Sequence, residues 1–187
     1  MADTARVIEP LTPDEYLDRE RLAPIRHEYV DGVIYAMAGA TERHNVISAE
    51  LLSALLNHLP VRCRAFNGDL KLRIRLEVTD QFYYPDCMVF CGPGDQARHW
   101  REDPLVLGEV MSASTEDVDR GDKLVAYTTH VPTLQEYILI EQAMMRVEVY
   151  RRANGWQKEI LGPDDMLRLE SIAFEIQVSA LYRRVEF

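Results

Sequence analysis

The sequence predicts an α+β fold in which helices flank a central mixed β-sheet, with a hairpin near the N-terminus and further strands near the C-terminus. One long segment has the apolar periodicity of a helix, and several short apolar runs have the length and composition of strands. The predicted order is helix, hairpin, helix, strands, helix, strands. This order does not alternate strictly between strand and helix, so it favours α+β over a doubly wound α/β fold.

The length and composition indicate one soluble domain. The chain has 187 residues, and we expect residues 1–187 to form a single domain. Hydrophobic residues make up 47%, which can fill a sizeable core. No apolar run approaches the roughly 20 residues of a membrane helix, and the first residues lack the pattern of a secretory signal. We therefore expect a cytoplasmic protein without a membrane partner.

The N-terminal third predicts two helices and a hairpin. Thr12-Pro13-Asp14-Glu15 predicts the start of a short helix that ends near Glu20, because Thr12 and Glu15 can form a capping box. Residues 27–37 predict a hairpin with its turn at Asp31-Gly32. The longest helix is expected from about Glu42 to Leu59, where apolar residues recur every four positions before Pro60.

The middle of the chain predicts strands. Residues 70–76 alternate apolar with basic residues, which predicts a half-buried strand with Lys71, Arg73 and Arg75 in solvent. The runs 84–91 and 105–111 are continuously apolar, which is typical of central strands. A loop should begin at Gly92.

The last third predicts one helix and more strands. Ser114 to Asp117 can cap a helix over about 117–130, and Leu134 to Ile140 predicts a strand. Residues 145–151 and 156–161 predict a second hairpin, after which we expect a final strand and a short helix.

The cysteines predict neither a disulfide nor a zinc site. Cys63, Cys87 and Cys91 are odd in number and form no C-x-x-C pair. We expect them to be small buried hydrophobic residues.

The formal net charge of −10 argues against binding to nucleic acid, because phosphate backbones attract basic surfaces. Charge can nevertheless be segregated on a surface, and a metal ion can offset acidic groups at a catalytic centre.

Two acidic residues interrupt apolar runs. Asp86 lies in the run 84–91 and Glu109 in the run 105–111. Burying a carboxylate is unfavourable unless a partner compensates it, and two neighbouring carboxylates repel unless a cation or a shared proton relieves them. If the two strands are neighbours, both acids share one face and could bind Mg²⁺ together with water and a backbone carbonyl. The alternative is that Asp86 caps a turn after Pro85 and Glu109 pairs with a buried arginine.

Four further residues are candidates for the same site. Lys123 could stabilise developing charge on a phosphate, but Asp119 and Lys123 could equally be an i,i+4 pair on a solvated helix face. Glu28 and His44 could each join an acidic site, although a histidine at a helix start is usually exposed or already paired. Tyr127 lies one helical turn after Lys123 and is also a candidate core residue, whereas Asp69 is more typical of a turn.

Several motifs in order resemble the Uma-two family of proposed endonucleases, which belongs to the restriction-endonuclease-like PD-(D/E)XK superfamily. The resemblance extends from about Thr12 to Arg152. It is carried by His27-Glu28-Tyr29-Val30-Asp31-Gly32, Tyr83-Tyr84-Pro85-Asp86-Cys87-Met88-Val89, Glu109-Val110-Met111-Ser112-Ala113-Ser114-Thr115, Asp119-Arg120-Gly121-Asp122-Lys123-Leu124-Val125-Ala126-Tyr127, Val131-Pro132 and Glu136-Tyr137.

The resemblance implies a restriction-endonuclease-like core and Mg²⁺-dependent cleavage of DNA, with Mn²⁺ as a possible substitute. It implies that Asp86 and Glu109 bind the metal together with the carbonyl of Val110. The superfamily usually has a lysine two residues after the second acid, but Met111 stands there, and Lys123 fits the role from the next helix. Glu28 matches an early acid of the family and would support the site.

The expected function is therefore a metal-dependent endodeoxyribonuclease with Asp86, Glu109, Lys123 and Glu28 as catalytic residues. A homodimer is expected by analogy, because duplex cleavage needs two cuts. The alternative is a catalytically inactive nuclease fold that acts as an acidic interaction module, since fold does not determine function. A third interpretation is a structural oligomer in which the acids meet arginines.

Overall fold

The computed structural model of the chain describes residues 10–112 and 115–187. The helices are α1 (Pro13–Glu20), α2 (Glu42–His58), α3 (Glu116–Val118) and α4 (Leu124–His130), with a π-helical turn at Asp119–Lys123 between the last two. The strands are β1 (His27–Val30), β2 (Val33–Ala36), β3 (Cys63–Asn67), β4 (Lys71–Arg75), β5 (Asp80–Tyr83), β6 (Cys87–Cys91), β7 (Trp100–Arg101), β8 (Val106–Val110), β9 (Glu136–Ile140), β10 (Val147–Arg151), β11 (Lys158–Leu161), β12 (Met166–Leu169) and β13 (Phe174–Gln177).

The strands form two large sheets and one small one. The six-stranded sheet has the order β11-β10-β9-β8-β6-β3 and is mixed, because β8 and β9 are parallel whereas the other neighbours are antiparallel. The five-stranded sheet has the order β2-β1-β5-β4-β7, and β12 and β13 form a two-stranded sheet. The α+β class with a mixed sheet is confirmed, but the N-terminal hairpin belongs to a second sheet.

Each face of the six-stranded sheet is covered by apolar packing. On one face α2 contributes Ile47, Leu51 and Leu55 to a core that also holds Val89 and Val149. The other core joins Leu72 of the five-stranded sheet, Tyr127 of α4 and Leu139 of the six-stranded sheet. The helix α4 therefore packs between the two large sheets.

The N-terminal predictions are confirmed in detail. Thr12 and Glu15 form the expected capping box. The hairpin turns at Asp31 and Gly32, which have φ of 51° and 85°, as its two-residue loop requires.

The strand predicted over 84–91 is wrong in its first half. Tyr83 ends β5 in the five-stranded sheet, and β6 begins only at Cys87 in the six-stranded sheet. Pro85 lies at the crossing point, where it cannot donate to a sheet ladder. Asp86 is therefore placed at the start of β6, beside the point where the chain passes from one sheet to the other.

Other strand predictions also need correction. The expected alternation in β4 fails at Lys71, which is buried with its ammonium 5.2 Å from the ring centroid of Tyr84. The prediction missed β3, β5 and β7, and the expected final strand is a hairpin of β12 and β13, followed by a 3₁₀ turn. The second hairpin, β10 and β11, is confirmed.

The continuous helix expected over 117–130 is replaced by α3, the π-turn and α4. Thr115 occupies the N-cap position of α3 without a side-chain cap bond. Ser114, where the predicted cap begins, lies outside the described residues.

The expectation that no disulfide forms is wrong. Cys63 and Cys91 are directly opposite each other on β3 and β6 and are joined by a disulfide. A cysteine count cannot reveal such a pair, because it depends on the register of strands that are 28 residues apart. Cys87 is a buried free thiol, as predicted, and burial raises its pKa to about 12.

Within the described part of the chain, no helix has the length and apolar character needed to cross a membrane.

Candidate active site

Asp86 and Glu109 meet because β6 and β8 are antiparallel neighbours. Cys87 lies opposite Gly108, so the next residues outward are Asp86 and Glu109. The backbone N–H of Asp86 donates to Oε2 of Glu109 at 3.3 Å, and the backbone N–H of Val110 donates to Oδ2 of Asp86 at 2.8 Å. Each carboxylate thus accepts a hydrogen bond from a backbone N–H of the neighbouring segment, at one end of the sheet.

Lys123 lies at the centre of a group of buried acids. Its Nζ is 3.2 Å from Oε1 of Glu28, 3.2 Å from Oε1 of Glu109 and 3.3 Å from Oδ1 of Asp119. Only 8% of the Lys123 side chain is exposed, so the interpretation of Asp119 and Lys123 as a solvated helix pair is wrong. Burial disfavours the ammonium, but the carboxylates of Glu109, Glu28 and Asp119 outweigh it and raise the pKa of Lys123 well above its usual value.

Among residues 10–112 and 115–187, no arginine pairs with Glu109, so the alternative interpretation of this residue finds no support there. Its Oε1 accepts hydrogen bonds from Nζ of Lys123 at 3.2 Å and from the hydroxyl of Tyr127 at 3.1 Å. Burial raises the pKa of Glu109 well above its usual range, opposed by Lys123 and reinforced by Asp119 and other neighbouring acids. Burial and the nearby Glu109 carboxylate also raise the pKa of Tyr127.

Glu28 reaches the site from the other sheet. It lies on β1, and its Oε1 accepts a hydrogen bond from the backbone N–H of Tyr84 at 3.2 Å. The same oxygen contacts the Lys123 ammonium. The site is therefore assembled from both large sheets and the π-turn.

His44 pairs with Asp86 rather than pointing into solvent. His44 lies in the first turn of α2. Thr41 caps this helix, because its Oγ1 accepts a hydrogen bond from the backbone N–H of His44 at 3.1 Å. Its Nε2 is 3.0 Å from Oδ1 of Asp86. Burial lowers the pKa of His44, but the hydrogen bond to Asp86, its negative charge and a backbone bond with Val110 outweigh this and raise it.

Asp69 stays outside the group of acids, as expected for a turn residue. Its side chain is 73% exposed and forms an ion pair with Arg26 at 3.1 Å. Neighbouring Gly68 is closer to the site, since a Cβ built on it would lie 3.8 Å from Oδ1 of Asp86.

Asp119 is the site residue that the sequence reasoning did not identify as functional. Its side chain is 3% exposed, and burial raises its pKa despite the attraction of Lys123 and a hydrogen bond with Thr115. The i,i+4 spacing to Lys123 was visible in the sequence, but that spacing cannot tell a buried pair from a solvated one.

The donor atoms fit a hard divalent cation. Asp86 and Glu109 present carboxylate oxygens on adjacent strands, and Val110 adds its backbone beside them. Oxygen ligands are what Mg²⁺ prefers, usually one or two carboxylates with several waters. In residues 10–112 and 115–187, no three His, Cys, Asp or Glu side chains are arranged to hold an ion by themselves. A bound ion would therefore need further oxygen ligands, such as water or a backbone carbonyl.

The electrostatic balance of the site also favours a cation. Four carboxylates, those of Asp86, Glu28, Glu109 and Asp119, face one lysine and one histidine. Buried charges of one sign repel one another, so this excess of negative charge would be relieved by an added positive ion or by a proton on Glu109 or Asp119, whose pKa values burial raises.

Comparison with known proteins identifies similar chains. The profile of the Uma2 family, described as "Putative restriction endonuclease", matches residues 13–180. The uncharacterized protein slr1290 of Synechocystis is 37% identical over 181 residues, covering 95% of this chain and 94% of that protein. A second uncharacterized Synechocystis protein, sll1609, is 34% identical over 151 residues, covering 79% of this chain and 84% of that protein.

A solved structure shares the fold. The crystal structure of a "putative nuclease belonging to DUF820" from Anabaena variabilis superposes with a TM-score of 0.74 at 24% identity. The match covers 93% of this chain and 98% of that one.

Proposed function

The chain belongs to the Uma2 family, and on that premise we propose that it is a Mg²⁺-dependent endonuclease that hydrolyses phosphodiester bonds of DNA. The observation that carries the proposal is one cluster in which half-buried Asp86, just before β6, and buried Glu109 on β8 lie together, with the Lys123 ammonium 3.2 Å from Glu109. Two acids and an amine in contact supply the groups that phosphodiester hydrolysis requires.

Asp86, Glu109 and the carbonyl of Val110 would bind the ion. When bound, Mg²⁺ supplies polarisation of a phosphoryl oxygen and a lowered pKa of a coordinated water. Mn²⁺ suits the same oxygen ligands and would substitute. Asp86 is kept in its orientation by the N–H of Val110, and Glu109 by the hydroxyl of Tyr127.

Lys123 would act on the substrate. Its raised pKa keeps it protonated at neutral pH, so it can contact a phosphate oxygen and stabilise the charge that develops there. Glu28 supports it by contacting the ammonium from the opposite sheet.

The proposal includes a homodimer, because cutting both strands of a duplex takes two active sites. The edge strand β2 supports it, since Val33, Ile34 and Tyr35 are each more than 40% exposed on an edge that no strand of the described residues pairs with. Light scattering on the purified protein should give twice the chain mass. Ile34→Lys should give the monomer mass, whereas Val78→Lys, at another exposed position, should not change it.

One observation favours a second function, that of a non-catalytic acidic interaction module. The net charge of −10 repels phosphate backbones and would attract a basic partner instead.

A cleavage assay separates the two functions. Supercoiled plasmid and single-stranded DNA are incubated with the pure protein in Mg²⁺, Mn²⁺ or chelator. The nuclease requires metal-dependent nicking that Asp86→Asn and Glu109→Gln abolish, while Asp95→Asn, an exposed acid in a surface loop, leaves it intact. Calorimetry should show Mg²⁺ binding to the wild type and to Asp95→Asn only. Unchanged Mg²⁺ binding in the two site variants would refute the metal assignment.

A further inference from the structure

Asp119 is a buried acid that has no role in the proposed mechanism. Its Oδ1 lies 3.3 Å from Nζ of Lys123, and within the described residues no group makes a well-aligned hydrogen bond to this oxygen. The partners of this carboxylate are the Lys123 ammonium and Thr115, and even with them its burial is unfavourable. A residue with this position in a site of excess negative charge calls for a functional explanation.

The three carboxylates around Lys123 come from different parts of the fold. Glu28 lies on β1 of the five-stranded sheet, Glu109 on β8 of the six-stranded sheet, and Asp119 on the same π-turn as Lys123. An ammonium group has three N–H donors, which matches three acceptors at 3.2 to 3.3 Å. Asp119 is the acceptor that moves with Lys123, because both belong to the Asp119–Lys123 turn.

The carboxylate of Glu109 would stabilise the Lys123 ammonium less strongly while it also binds a cation. An ion at Glu109 and the ammonium at its Oε1 are like charges in one buried hollow, and they repel. Without other acceptors, Lys123 would be pushed away from the position where it meets the substrate. Glu28 and Asp119 remain as acceptors when Glu109 is engaged.

We propose that Asp119 is a positioning residue for Lys123, which holds the ammonium beside Glu109 when that acid binds the metal. The proposal rests on the proposed nuclease function. The turn that carries Asp119 is itself anchored, because the hydroxyl of Tyr137 on β9 donates to the carbonyl oxygen of Asp119 at 3.1 Å. Widened π-helical turns occur often at functional sites, and here the turn directs Asp119 and Lys123 into the same hollow.

The test compares two aspartates of one turn. Asp119→Asn removes the buried charge, and Asp122→Asn removes an exposed charge three residues later as the matched control. Asp119→Asn should lower kcat about tenfold or more, with KM and the calorimetric Mg²⁺ affinity changed less than about twofold. Asp122→Asn should resemble the wild type in all three. Equal kcat values for the two variants would overturn the proposal.

A double-mutant cycle tests whether Asp119 acts through Lys123. In a Lys123→Met background, Asp119→Asn should cause no further loss of residual kcat, because the group it positions is already gone. The same fold-loss in both backgrounds would show an independent role and reject the proposal.

Two further measurements keep the result interpretable. If Asp119→Asn does not fold, Tyr137→Phe removes only the anchor of the turn and should give a smaller loss in kcat with unchanged Mg²⁺ affinity; an unchanged kcat there counts against the proposal. A wild type that neither binds Mg²⁺ nor cleaves DNA would instead refute the nuclease function, whereas an active wild type with a neutral Asp119→Asn refutes only the positioning role.

Discussion

Glu109 accepts hydrogen bonds from three different groups: the N–H of Asp86, the ammonium of Lys123 and the hydroxyl of Tyr127. Each donor comes from a different element, so the position of this one carboxylate depends on β6, the π-turn and α4 together. Its Oε1 is also the atom for which Lys123 and a bound cation would compete. The effects of residue changes in the site follow from this competition.

Replacing Lys123 by methionine should separate metal binding from cleavage. The variant removes a positive charge that competes for Glu109, so its Mg²⁺ affinity in calorimetry should equal or exceed that of the wild type, while kcat should fall to a low residual value. Without the ion, the uncompensated acids should destabilise the fold by about 3–5 kcal/mol in urea unfolding. Saturating Mg²⁺ should restore part of that loss. Full nuclease activity in this variant would show that Lys123 has only a structural role.

Glu148 predicts acid sensitivity at a second charge cluster, which it forms with Arg120 of the π-turn Asp119–Lys123. Burial opposes its ionisation, but hydrogen bonds from Arg120 and Tyr150 outweigh burial and lower its pKa below the usual 4.5. A carboxyl with a lowered pKa adds stability above pH 4.5 that is lost as the pH falls through its value in the folded state.

The matching experiment is urea unfolding of Glu148→Gln at several pH values. The variant should be less stable than the wild type by about 1–3 kcal/mol at pH 7, and the difference should shrink toward acid pH. Glu175→Gln, an exposed ion-pair residue, should differ from the wild type by less than about 0.5 kcal/mol at either pH. A difference for Glu148→Gln that is independent of pH would contradict the assigned shift.

Which residues the sequence could identify depended on how unusual their setting was. Asp86 and Glu109 stand out because each interrupts an apolar run, and the structure brings them together as predicted; their roles in metal binding stay predictions. Asp119 and His44 sit among polar residues near helix starts. Polar residues at such positions are equally typical of a solvated surface, so the local sequence pattern could not predict that Asp119 and His44 are buried.

The first hairpin is the element that carries Glu28, and Gly32 determines whether it can form. Gly32 has φ of +85°, and a Cβ at this position would lie 2.4 Å from Cβ of Pro10. Gly32→Ala should therefore lower the free energy of unfolding by more than about 1 kcal/mol. Gly39→Ala, with open space around it, is the control and should stay near the wild type. Chemical unfolding of both variants measures this, and equal stabilities would contradict the role given to the turn.

The disulfide should stabilise the pairing of β3 with β6. Cys63 and Cys91 are 28 residues apart, and closing a loop of that length contributes about 3–4 kcal/mol in the chain-entropy model. Reduction should lower the unfolding midpoint by a corresponding amount, and Cys63→Ala with Cys91→Ala should show the lowered midpoint with no further effect of reductant. An unfolding midpoint that does not respond to reductant would contradict the expected contribution of the disulfide.

Cys87, whose pKa is raised to about 12, should stay unreactive toward thiol reagents in the folded protein.

At the level of elements, sequence periodicity predicted the helices and hairpins that have local signals. It missed strand boundaries and buried residues that depend on tertiary contacts. The helix α2 and both hairpins have strong local signals, namely a four-residue apolar repeat and glycine turns. The run 84–91 has no break in its apolar pattern, yet it is divided between two sheets at Pro85. The burial of Lys71 depends on Tyr84, which is brought near only by the fold.

For the whole molecule, the arrangement of two sheets around α4 explains why the acids cluster despite their repulsion. Apolar packing of Leu72, Tyr127 and Leu139 joins the sheets beside the hollow, and this burial fixes the acids in place. No local sequence pattern predicts that the two sheets meet at this point, because β1 and β8 are far apart in sequence. The sequence alone offered Glu28 as an acid that could join the site, and the resemblance to a family gave it a supporting role, which stays a prediction.

The net charge of the molecule predicts that, if the proposed function is right, its affinity for DNA depends on the metal. With 31 acidic residues against 21 lysines and arginines, duplex DNA should bind weakly in chelator, since the protein surface repels phosphates on balance. Ca²⁺ accepts the same kind of oxygen ligands with looser geometry, so it should restore binding without requiring cleavage.

Fluorescence anisotropy with a labelled duplex measures this directly. Affinity should rise at least about tenfold when Ca²⁺ replaces chelator, and the combined Asp86→Asn and Glu109→Gln variant should lose that rise, whereas Asp95→Asn should keep it. The double variant is less negative than the wild type, so a simple effect of net charge would make it bind better in both buffers, not worse in Ca²⁺. Affinity that is equal with and without Ca²⁺, in wild type and variant alike, would place the acids outside DNA recognition and favour the acidic interaction module.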